Sequence, residues 1–155
     1  MRKSLVLLIL LLLLKPLYAN QSSDAIEMTP DDLIIDHVEY SFEPDENPTK
    51  LVYNITITNV TGRTIKYRSN VRIPSMSQYE DNRDNCTMIL EPWQSCILKG
   101  YGYRKAVNES EFEILQAGKS YGFQVILSPT NVTTNPFKGQ EDGVIKKKFN
   151  AILED

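Results

Sequence analysis

Apolar and polar residues alternate over much of this chain. In Leu51-Val52-Tyr53-Asn54-Ile55-Thr56-Ile57-Thr58, the residues Leu51, Tyr53, Ile55 and Ile57 fall on one face and Asn54, Thr56 and Thr58 on the other. That is the period-two pattern of a strand buried on one side. The same rule places Ile34, Val38, Tyr40 and Phe42 on one face of an earlier strand, Tyr121, Phe123, Val125 and Leu127 on a later one, and Ile145, Phe149, Ala151 and Leu153 on a last one. Residues 64–68, 88–90, 96–103 and 111–115 read as shorter strands. Turn residues separate these runs: Glu43-Pro44-Asp45-Glu46-Asn47-Pro48, Thr61-Gly62, Glu91-Pro92, Ala117-Gly118-Lys119 and Asn135-Pro136. About seven or eight short strands with such spacing predict a sandwich or barrel. Residues 69–85, broken by Pro74, and 129–142 read as loops, where a binding surface is expected. Residues 20–31 lack periodicity and read as a flexible leader, which leaves 32–155 for the β domain.

The first nineteen residues follow another rule. Arg2 and Lys3 precede an apolar run over residues 5–14, followed by Lys15, Pro16 and a small residue, Ala19. This is the layout of a signal peptide cleaved after Ala19, and the run is about half the length that spans a bilayer. The expected product is secreted or periplasmic, with no membrane span after cleavage. The full chain has 155 residues with 17 basic and 20 acidic ones; losing Arg2, Lys3 and Lys15 leaves 14 against 20, a charge of −6. With no basic stripe to neutralise phosphates, nucleic acid is not an expected partner. The run Lys146-Lys147-Lys148 lies within an alternating segment, where charge commonly blocks edge-to-edge pairing of sheets.

Two cysteines, Cys86 and Cys96, stand in "NCTMILEPWQSC". Two thiols and the single His37 cannot complete a four-ligand zinc site, and the spacing is not that of a redox pair. Behind an export signal, an even cysteine count reads as a structural disulfide. Two routes would join the sulfurs. A three-residue connection through Leu90, Glu91 and Pro92 would set Cys86 across from Cys96; alternatively, Leu90 crosses between sheets and the cysteines join strands that are not simple neighbours.

"ITITNVTGRTI" (55–65) followed by "CTMILEPWQSCIL" (86–98) resembles bacterial exported immunoglobulin-like sandwiches of the abnormal-spindle/Hydin and choice-of-anchor D kind. The resemblance implies an immunoglobulin-like β-sandwich in which Asn59 and Gly62 mark a turn, Leu90 is a buried leucine, Pro92 a loop proline, and Cys86 and Cys96 the bridge. Trp93 stands where those modules usually have glycine, and "KGYGYRKAV" replaces their closing threonine-rich strand. Activity does not follow from such a fold.

Candidate chemistry is sparse, and neither enzyme activity, a metal nor a cofactor is expected. His37 is out of phase with its strand's apolar face, as a solvent-facing residue would be. The acidic pairs Asp31-Asp32, Asp45-Glu46, Glu80-Asp81 and Glu141-Asp142 sit in polar context with no apolar pocket to raise a carboxyl pKa. The stretch 81–85 lacks the glycine and glutamate of an EF-hand loop, leaving only irregular calcium binding by Asp81 and Asp84. Asn20, Asn54, Asn59, Asn85, Asn108 and Asn131 head glycosylation sequons, although a bacterial source would leave them unmodified.

The aromatic residues Trp93, Tyr101 and Tyr103, with Tyr67 and Tyr79 nearby, are the remaining candidate site. They read either as contacts for a protein or carbohydrate partner or as core. Gly100 and Gly102 between the tyrosines signal a bulge or a close backbone approach. The expectation is therefore a non-catalytic binding module, such as an adhesion or exported effector domain. The alternative is a structural subunit or chaperone of an envelope assembly that acts by strand addition.

Overall fold

The computed structural model describes residues 25–74, 76–81, 86, 88–105, 111–132 and 141–154. Residues 1–19, expected as a signal peptide, the first part of the expected leader (20–24), most of the loop 129–142 and the calcium candidate Asp84 lie outside the described residues. Among the described residues every regular element is a strand: β1 (Ile26–Glu27), β2 (Leu33–Glu43), β3 (Lys50–Asn59), β4 (Ile65–Lys66), β5 (Arg68–Arg72), β6 (Ser77–Asp81), β7 (Ile89–Leu90), β8 (Ser95–Tyr103), β9 (Ser120–Ser128) and β10 (Ile145–Ile152). One sheet has the order β2-β3-β8-β6 and the facing one β10-β9-β5. A small sheet, β1-β4-β7, adjoins the second, because β4 runs into β5 through Tyr67 alone.

The two clearest alternations make the facing walls of the core. Leu51, Tyr53, Ile55 and Ile57 of β3 are buried, as are Tyr121, Phe123, Val125 and Leu127 of β9. Tyr53 stacks on Phe123 across the interface, with ring centroids 6.3 Å apart, and Phe42 meets Tyr121 edge-on at 5.8 Å. Burying these rings and aliphatic chains is the main stabilising contribution, about 1.5–3 kcal/mol for each large side chain. The protein is an immunoglobulin-like antiparallel β-sandwich with one disulfide, Cys86–Cys96.

Local pattern and structure part company at four places. In β2 the register to β3 shifts between Ile35 and His37. The extra residue reverses the inside-outside phase, so Leu33 and Ile35 are buried while Ile34, expected inside, is exposed. The segment 69–85, expected as a loop, contains most of β5 and all of β6. Val71 and Ile73 fill the core there, whereas β6 exists by pairing along β8. Residues 111–115 form no strand; Phe112 makes a single bridge to Lys105, and Leu115 is buried. Finally, Ile26 and Glu27 pair in parallel with Ile65 and Lys66, and Met28 is buried, so the chain is tied down before residue 32. The Glu27 carboxylate holds this strand by accepting from the Thr130 amide at 2.6 Å and from the Thr130 hydroxyl.

The disulfide follows the crossing route. Leu90 pairs with Ile65 of β4 and is 1% exposed, while β8 begins at Ser95 and pairs with β3 in the other sheet. The chain passes from one sheet to the other between Leu90 and Ser95, and the bridge returns across that passage. The Tyr67 hydroxyl lies 3.1 Å from Cys96 Sγ inside the core, and burial pushes its pKa well above the ordinary phenol range.

Asn59 secures the crossing. Its side chain is fully buried; Nδ2 lies 2.7, 3.1 and 3.0 Å from the carbonyl oxygens of Arg63, Leu90 and Glu91. Its Oδ1 accepts from the Thr61 amide and hydroxyl. A sequon asparagine whose amide is spent this way serves the fold.

Candidate functional site

The outer face of the sheet β2-β3-β8-β6 carries a ladder of aromatic rings. Alternation in β8 sends Leu98, Gly100 and Gly102 inward and Lys99, Tyr101 and Tyr103 outward. On the neighbouring edge strand Tyr79 lies directly across from Tyr101 and Ser77 across from Tyr103. Tyr79 and Tyr101 stack at 5.3 Å, Tyr101 and Tyr103 are 6.0 Å apart, and Tyr103 meets Phe112 edge-on at 4.9 Å. Lys50 places its ammonium 4.8 Å from the Tyr101 ring on the side of β3. Tyr79 and Phe112 are each 48% exposed, and Tyr101 and Tyr103 are half-buried by one another.

The two glycines between the tyrosines explain the placement. A Cβ on Gly100 would overlap the Tyr53 ring and come within 2.5 Å of the Tyr79 carbonyl oxygen, and one on Gly102 would meet Ile73 Cδ1 at 2.5 Å. Inward space beside residues 100–103 of β8 is taken by Tyr53 and Ile73, so that stretch presents its large side chains outward only. This is the close backbone approach expected from the sequence. Phe112 reaches the cluster through the Lys105 bridge and the Glu113 amide, which donates to the Arg104 carbonyl at 2.9 Å.

Trp93 does not join this cluster. It occupies the turn before β8, while Tyr101 lies six residues into that strand, roughly 20 Å away at strand spacing. There the indole is 70% exposed and the backbone has φ +60°, a left-handed conformation that glycine adopts freely and bulky residues rarely. Of the other aromatic candidates, Tyr67 is core and Tyr79 belongs to the ladder.

Charged groups border the ladder. An open groove of about 440 Å³ beside Tyr103 and Phe112 is lined by Met76, Ser77, Arg104, Lys105 and Glu113, with Arg104 3.4 Å from Glu113. His37 projects to solvent, 3.1 Å from Glu39. Among the described residues no three His, Cys, Asp or Glu side chains converge as a metal site requires, and no helix is long and apolar enough to cross a membrane. Two signals pointed to the ladder in the sequence, the Gly-Tyr-Gly-Tyr alternation and the nearby Tyr79. Phe112 and Lys50 were not legible, since only the fold brings them alongside.

No family model and no curated protein matches the chain. Among solved structures, a FixG-related protein from Vibrio parahaemolyticus is similar over 80% of this chain and 97% of its own, with 15% identity and a TM-score of 0.47. The GAE domain of yeast GGA1 is similar over 78% of this chain and 92% of its own, with 10% identity and a TM-score of 0.42.

Proposed function

We propose that the protein is a non-catalytic binding module, secreted or periplasmic, that meets a protein or carbohydrate partner through the outer aromatic face. The observation that carries this reading is the ladder Tyr79, Tyr101, Tyr103 and Phe112, set on a sheet face that also presents Val52, Asn54, Thr56, Ile97 and Lys99. Ring-ring contact stabilises the sheet by about 0.5–1.5 kcal/mol per pair, which accounts for the mutual packing. It does not account for leaving two rings about half in water. Contiguous exposed aromatic surface beside flanking cations is the composition of an interaction hot spot. The Asn59 turn and the Cys86–Cys96 bridge support the finer kinship with abnormal-spindle/Hydin and choice-of-anchor D modules, and the disulfide supports an oxidising destination.

The test compares wild type with Tyr79→Ser/Tyr101→Ser, and separately with Trp93→Ala, on a glycan array and on a panel of immobilised exported and envelope proteins. Binding lost in the tyrosine variant, with far-UV circular dichroism unchanged, supports the aromatic face. Equal signals from both proteins on every surface remove it, and loss in the Trp93 variant alone moves the site to the turn. Export is read separately from the intact mass of the native protein, which should begin at Asn20.

A second reading, a subunit or chaperone of an envelope assembly, draws on an open sheet edge. The lysine run counts against β10 as that edge, but β2 is not so protected.

A further inference from the structure

We infer that the outer edge of β2 is a strand-addition site for an extended segment in which basic and apolar residues alternate. This surface is separate from the aromatic face, and the inference holds whether or not that face binds anything.

Among the described residues β2 is the longest strand, eleven residues from Leu33 to Glu43, and it pairs there on one side, with β3. Among the described residues no strand pairs with its other side. A long edge with unused backbone groups is the template that β-augmentation requires, and proteins that do not use such an edge usually guard it. The neighbouring edge in the facing sheet shows what guarding looks like. β10 carries Lys146, Lys147 and Lys148, and Lys147 turns inward across the gap to donate from Nζ to the Ile35 carbonyl at 3.4 Å. That contact stands at the bulge, and among the described residues no strand pairs with the outer edge of the stretch 37–43 beyond it. It also shows that the edge of β2 accepts a cationic donor.

The two faces of the open stretch define what fits. On the outer side stand His37, Glu39, Ser41 and Glu43, and on the inner side Val38, Tyr40 and Phe42. Tyr40 is 43% exposed although it faces the gap between the sheets; its ring meets Phe42 edge-on at 6.2 Å, and Phe42 continues to Tyr121. An added strand would lay every second side chain on Tyr40 and Phe42, so those positions are apolar. The intervening ones would stand beside Glu39 and Glu43, so those are basic. The cations near this edge are Lys147 at the Ile35 carbonyl, His37 beside Glu39, and Lys50, which lies across from Glu43 and is drawn over the Tyr101 ring. The occupant is therefore a partner's extended segment alternating lysine or arginine with aliphatic residues.

The probe is an acetylated peptide of about ten residues alternating lysine and valine, added to the mature oxidised protein. The expected result is slowed backbone hydrogen exchange over residues 37–43, with affinity falling at least about tenfold for Glu39→Lys/Glu43→Lys. A lysine-valine peptide N-methylated at alternate amides should not bind, because it keeps the charge and loses the edge hydrogen bonds. That arm uses wild-type protein and decides the matter even if the double variant fails to fold. The inference is overturned by no binding, by binding without slowed exchange in β2, or by equal binding of the methylated or a glutamate-valine peptide. Exchange that slows with protein concentration alone, alongside dimer formation, would give the edge to a second copy of this chain and overturn it too.

Discussion

Asn59 Nδ2 donates to the Leu90 carbonyl 3.1 Å away, joining the end of the central strand β3 to the strand that crosses between sheets. The same amide serves the Arg63 and Glu91 carbonyls, so one side chain satisfies several buried acceptors where the chain changes layers. Asn59→Ala would remove one buried donor from these carbonyls and the acceptor of the Thr61 amide, while the Glu91 carbonyl keeps the Gln94 amide and the Arg63 carbonyl the Thr61 hydroxyl; it should cost about 1–3 kcal/mol. Urea denaturation measures this; a loss under about 0.5 kcal/mol would mean water replaces the amide at no cost.

Two glycines are expected to behave oppositely. Gly100→Ala pushes a methyl group into the Tyr53 ring and the Tyr79 backbone, and overpacking of that kind destabilises by about 1–3 kcal/mol. Gly62, the glycine of the Asn-x-x-Gly turn, has nothing within 4 Å of an added Cβ and no left-handed φ. Gly62→Ala should leave stability unchanged or raise it by about 0.4–1 kcal/mol by restricting the unfolded chain. Thermal midpoints of the two variants should bracket the wild type.

Trp93→Gly removes an exposed indole from a left-handed backbone position. The relief of about 1–2 kcal/mol outweighs the entropy glycine adds to the unfolded chain, about 0.5–1 kcal/mol. Chemical denaturation should show equal or slightly greater stability. A drop would reveal packing for the indole.

Acid should weaken the fold through two carboxylates. At Asp32 burial pulls the pKa up, but the Thr29 amide and hydroxyl and the Arg63 guanidinium at 2.7 Å outweigh it and hold the carboxyl below its ordinary value. At Glu27 the Thr130 hydroxyl does most to lower it, against burial, with Thr130's amide, Lys66 and Arg68 assisting. Both folded pKa values lie below the unfolded ones, so this stability is fully present above about pH 5 and lost as pH falls through the folded values. Asp32→Asn should be less stable at pH 7 and show a shallower decline between about pH 4 and 2, read from urea midpoints across that range.

Local alternation determined the faces of β3 and β9, because in a strand the neighbour two residues away always shares a face and nothing distant is needed to say which side is apolar. The even count of two cysteines, with no spacing for a metal or redox pair, likewise pointed to the Cys86–Cys96 bond. Distant partners decided the rest. One extra residue at the β2 bulge exposed Ile34, and the edge of β8 recruited polar Ser77–Asp81 into a strand that no internal pattern announces. Tertiary structure alone sent Leu90 across the layers, parted Trp93 from Tyr101, and brought Phe112 and Lys50 to the tyrosines. Those outcomes depend on register and pairing between segments far apart in sequence, whose energies arise only once both segments are in place.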